Sequence, residues 1–140
     1  MRIHVVALLK AGRIEDAKDV LEGMDPGAYY YGQSQTWIFA ADGDRQALQG
    51  QYEFFENARI PDVARMHVAS LLGDTDLANK WAARIDARPG GPIWFANSGI
   101  VTCQCGNGFD IDSTPEFKAR LIEADASLQL KSPIDWPLQK

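Results

Sequence analysis

The sequence predicts an all-α protein, a solenoid of stacked helical hairpins, and three observations carry that expectation. Glycines at 12, 43 and 73 each stand between two helix-length runs of apolar residues. In the third unit the apolar residues on both sides of the glycine recur at the i, i+3, i+4 and i+7 spacing of one face of a 3.6-residue helix. Turn formers then close each unit: Asp25-Pro26-Gly27, Arg59-Ile60-Pro61 and Pro89-Gly90-Gly91-Pro92. Proline removes a backbone donor and clashes with the preceding turn, so each of these segments ends the helix before it.

The first pair joins Val5, Val6, Leu8 and Leu9 to Ile14, Ala17, Val20, Leu21 and Met24 across Gly12. The second joins Trp37, Ile38, Phe39 and Ala40 to Ala47, Leu48, Tyr52 and Phe55 across Gly43. The third has the clearest pattern, with Val63, Met66, His67, Ser70 and Leu71 before Gly73 and Leu77, Ala78, Trp81, Ala82 and Ile85 after it. The three units share a register. Leu8, Phe39 and Ala69 hold the fourth position before the glycine, Ala17, Leu48 and Ala78 the fifth after it, and Met24, Phe55 and Ile85 the twelfth.

Each hinge has a local reason. Glycine ends the first helix in the left-handed conformation, where a Cβ would clash. Asp44 and Asp74 are placed to cap the second helix through their carboxylates, and Glu15, Asp16 and Asp76 suit its positive end.

A hairpin of about 30 residues with Gly-x-x-x-x-Ala across its hinge resembles the tetratricopeptide repeat. The pattern stands as Gly12…Ala17 and Gly73…Ala78, while Gly43…Leu48 keeps the glycine and replaces the alanine. The units are shorter than the family's, and its aromatic pattern survives in fragments such as Trp37 and Phe39. The resemblance covers roughly residues 1–90. It implies a right-handed α-α superhelix whose first helices line a concave, protein- or peptide-binding face.

In that arrangement the groove is lined three, six and ten residues before each hinge glycine. Six before stand Val6, Trp37 and His67; ten before stand Arg2, Gln33 and Val63; three before stand Leu9, Ala40 and Ser70. Arg2, Tyr30, Gln33, Trp37, His67 and Ser70 are therefore the candidate binding residues, Tyr30 lying about one turn before Gln33. Trp37 has two readings: an exposed anchor among hydrogen-bonding side chains, or core between helices. Tyr29, Tyr30 and Tyr31 cannot all face one core from a helix, so at least one is expected to be exposed or in a groove. Phe54 and Phe55 raise the same question, and both are expected between neighbouring hairpins.

The last third departs from the period. Ile93 to Val101 reads as a short buried helix, and Thr102 to Ser113 as a loop around a fourth hinge at Gly106. Thr114-Pro115-Glu116 opens a helix with Phe117, Leu121, Ile122 and Ala124 on one face, capped by Ser113 or Thr114. The tail Ser132-Pro133 to Lys140 reads as extended, with Trp136 packed on the last helix. The segments CQCGNGFD, TPEFKARL and SPIDWPL resemble the closing part of some bacterial tetratricopeptide-type proteins. The expected organisation is one domain, residues 1–140, with three hairpins over 1–90 and capping helices plus tail over 91–140.

Composition narrows the function. The 140 residues carry 14 basic and 19 acidic side chains, for a net charge of −5. That balance disfavours nucleic acid, because no basic stripe is available to displace counterions. No apolar run approaches the roughly 20 residues of a membrane span, and no signal-peptide pattern opens the chain, so a cytoplasmic location and no membrane partner are expected. Two cysteines do not make a secreted disulfide framework.

Cys103 and Cys105 offer two soft ligands where structural zinc takes four, and His4 and His67 lie in different hairpins. Reduced, buried cysteines without a metal, cofactor or disulfide are the expectation, with a metal- or ligand-binding module on that loop as the alternative. Asp110 and Asp112 read as capping acids rather than a calcium loop, which would need a closing Glu. No nucleophile elbow or phosphate loop is present, so an enzyme is not expected. A further alternative is an oligomerisation module, should the outer face of the first helix prove apolar.

Overall fold

In a computed structural model of the chain, residues 2–28, 30–97 and 108–124 are described, the side chains of Arg2, Ile3, Ala96 and Asn97 excepted. They are all-helical. Eight α-helices and one 3-10 turn occur among them, and no strand does. Three pairs come first: α1 (Arg2–Lys10) with α2 (Ile14–Glu22), α3 (Tyr31–Asp42) with α4 (Arg45–Asn57), and α5 (Asp62–Leu71) with α6 (Thr75–Asp86). Then follow α7 (Gly91–Asn97), a 3-10 turn (Ile111–Ser113) and α8 (Pro115–Glu123).

Each helix packs on the next in sequence from α1 to α8, and the first helices also meet one another, α1 against α3 and α3 against α5. The helix pairs therefore stack side by side. Of the nine register positions, eight are buried and Phe39 is partly buried. The period in the sequence is thus the period of the core. Among the described side chains of α1 the exposed ones are His4, Ala7 and Lys10.

The three hinges share one backbone construction. Gly12, Gly43 and Gly73 have φ of 72°, 76° and 77°. The next residue's N–H donates back to the carbonyl of Leu8, Phe39 or Ala69, at 2.9, 2.9 and 3.0 Å respectively. This is the double-bonded helix terminus that a left-handed residue allows. A Cβ at Gly12 or Gly73 would meet nothing within 4 Å, so the requirement for glycine there is the backbone angle and not space. Asp44 and Asp74 cap as expected, accepting from Ala47 N and Leu77 N at 2.9 Å. The turn after α6 needs glycine twice. Gly90 has φ of 80°, and a Cβ on Gly91 would collide with the Ile85 carbonyl.

A buried carboxylate ties the second and third pairs. Asp62, 2% exposed, accepts from Arg65 at 2.8 Å and from Arg88, with the Arg84 Nε at 3.3 Å. Arg65 then donates to the carbonyls of Phe55, Ala58 and Ile60, so one guanidinium serves the otherwise unpaired carbonyl end of α4. The Arg65 and Arg84 guanidinium carbons lie 5.1 and 5.0 Å from the ring centre of Trp81, whose Nε1 donates to Tyr52 Oη at 3.1 Å. Burial pushes the Tyr52 phenol above its usual value of 10.0, against the opposing pull of the Trp81 bond.

The far end closes on aromatics. Phe95, fully buried, lies 5.2 Å from Phe117 and 5.4 Å from Phe109. Here two expectations are corrected. Thr114 precedes α8 without capping it through its side chain; the Asp86 carboxylate at the end of α6 accepts from Glu116 N and Phe117 N at 2.8 and 2.9 Å. Ile122, read as core, is 71% exposed, and Ile93 of α7 is 58% exposed. Only Phe117 and, in part, Leu121 are buried on α8, which packs on α6, α7 and the 3-10 turn. Asp110 does cap the 3-10 turn, accepting from Asp112 N at 3.0 Å. The fourth hinge at Gly106, the cysteine loop and the tail with Trp136 lie outside the described residues.

Candidate functional site

The stacking of α3 against α5 leaves an opening between them, closed at the back by the end of α4 and the turn that follows. The resulting groove has a volume of about 440 Å³, inside the roughly 300–1,000 Å³ range of ligand pockets. Gly32, Gln33, Thr36 and Trp37 supply one wall; Val63, Ala64, His67 and Val68 supply the other. Phe55, Arg59, Ile60 and Pro61 form the back. The lining is mainly apolar, and its polar groups are few.

Three of the candidate residues meet here. Gln33 Nε2 lies 3.3 Å from His67 Nδ1, a bridge from α3 to α5 across the groove lining. With Nδ1 accepting, the neutral imidazole carries its proton on Nε2. Trp37 lines the same groove but is only 1% exposed. It is floor and core at once, not a projecting anchor. Thr36, beside it, turns its hydroxyl back to the Gly32 carbonyl at 2.7 Å, as a helical threonine does when buried.

The other three candidates stand elsewhere. Tyr30, the residue before α3, is 42% exposed and does not line the groove. It meets the expectation that one of the three tyrosines is exposed; Tyr31 is partly buried, and Tyr29 lies outside the described residues. Ser70 is 4% exposed, and its Oγ accepts from Gly108 N. It pins the chain returning from α7 onto α5 instead of facing a ligand. The side chain of Arg2 lies outside the described residues. Phe54, expected between hairpins, is 65% exposed, while its neighbour Phe55 is buried at the groove.

The back wall was missed in the sequence. Arg59-Ile60-Pro61 is marked there as an exit turn, and its signal was available: a turn joining the second pair to the third must lie where those pairs meet. Arg59 is exposed and makes no ion pair or hydrogen bond among the described residues. Comparisons of the chain with protein-family models, characterised proteins and solved structures found no match.

Proposed function

We propose that this protein is a binding scaffold whose groove between α3 and α5 receives an apolar side chain of a partner protein or peptide. The observation that carries the reading is the Gln33–His67 bridge over a cleft floored by Trp37 and walled by Val63, Ala64 and Ile60. Such a site combines apolar burial with a small number of placed polar groups, the composition of a recognition pocket. Among the described residues its polar groups are Gln33, Thr36, His67 and Arg59, and we read them as recognition groups.

The same reading takes the stacked pairs as a tetratricopeptide-like superhelix. Its support is the repeated glycine terminus, the small or apolar residue five positions on, and the contact of first helix with first helix. In that family the first helices line the concave face, and the groove lies between two of them.

A random dodecapeptide library displayed on phage, panned against the protein, tests the proposal. Enriched peptides are expected to share an apolar anchor and to lose binding when the cleft is filled by Ala64→Trp or, independently, by Val63→Trp, each checked for native circular dichroism. Enrichment of nothing, or of peptides indifferent to both variants, contradicts it.

A further inference from the structure

We propose that the segment taken by this groove carries a carboxylate beside its apolar anchor, and that Arg59 seats it. This rests on the scaffold reading and adds the charge of the partner. Three observations point the same way. Among the described residues the lining holds no aspartate or glutamate, although the chain carries 19 of them and a net charge of −5. An acid-free wall in an acidic protein is a place where an anionic partner meets no local repulsion.

Arg59 lines that wall uncommitted. Arg13 is paired with Asp16, and Arg65, Arg84 and Arg88 converge on Asp62, but Arg59 has no such partner among the described residues. A guanidinium presents a planar fork that fits a carboxylate, and an exposed one adjusts to it at little structural cost.

The helix ends add to the same field. The first turns of α3 and α5 border the groove, with Gly32 and Gln33 on one and Pro61, Val63 and Ala64 at the other. Neither helix has a side-chain cap, whereas α4 and α6 are capped by Asp44 and Asp74. The partial positive charge of two helix starts therefore meets at the cleft with no carboxylate among the described lining residues. Asp62 does sit in the first turn of α5, but it is buried against three guanidiniums and does not line the groove.

The test uses the groove-dependent peptides selected as above. They are expected to carry Asp or Glu next to the apolar anchor. Replacing that acid by its amide is expected to weaken binding about three- to tenfold, with the loss shrinking as salt rises. Against Arg59→Gln, an exposed substitution, most of that difference is expected to vanish, the remainder being the share of the two helix starts. Groove-dependent peptides with no acid preference, or with a preference undiminished in Arg59→Gln, overturn this inference and leave the scaffold reading standing. Absence of any groove-dependent peptide overturns both.

Discussion

Gln33 and His67 stand 34 positions apart in the chain and 3.3 Å apart in space, joined side chain to side chain between the first helices of successive pairs. Their contact packs first helix on first helix, joining a residue ten before Gly43 to one six before Gly73. A double-mutant cycle of Gln33→Ala and His67→Ala is expected to give a coupling of about 1 kcal/mol, the size of a partly buried neutral hydrogen bond. Coupling indistinguishable from zero in urea unfolding contradicts the contact.

Trp37 decides between anchor and core. At 1% exposure it belongs to the core, and Trp37→Ala is expected to cost about 3–5 kcal/mol in chemical unfolding. A protein that stays as stable as the parent while losing peptide binding would return Trp37 to the surface.

The reason this was open in the sequence is the place of α3 in the fold. It packs against α1, α2, α4 and α5, and buries Ser34, Thr36, Trp37, Ile38, Ala40 and Ala41 on several sides. A helix buried around most of its girth has no single apolar stripe, so periodicity cannot say which residue looks into a groove. The hinges were legible for the opposite reason. A left-handed glycine and an aspartate cap act within six residues of chain, so Gly43-Asp44 and Gly73-Asp74 state their own geometry. Asp86 capping α8, Ser70 holding Gly108 and Arg65 closing α4 are contacts between separate elements, invisible to local pattern.

Asp62 is the polar centre of the second and third pairs. Asp62→Ala leaves Arg65 half-buried without its carboxylate and is expected to destabilise the fold by about 3–5 kcal/mol. Most of that is expected to come from Arg65, since Arg84 and Arg88 are more than half exposed and solvent screens their share. A loss below about 1 kcal/mol in thermal or urea unfolding would show the cluster to be dispensable.

Asp86 holds the start of α8. Asp86→Ala removes both acceptors of Glu116 N and Phe117 N, and each charged hydrogen bond is worth about 1.5–3 kcal/mol. Hydrogen exchange is expected to speed at Pro115–Glu123 more than in the first two helix pairs. Unchanged protection of Phe117 would refute the cap.

The most direct measurement of the central claim is a map of backbone amide shifts in the ¹⁵N-labelled protein titrated with a selected peptide. The account predicts shifts at Gln33, Trp37, Ala64 and His67, and none in the open depression lined by Arg45, Gln46, Gln49, Gly50 and Glu53 on α4. Shifts confined to that outer face of α4, with the α3–α5 groove unmoved, would contradict it.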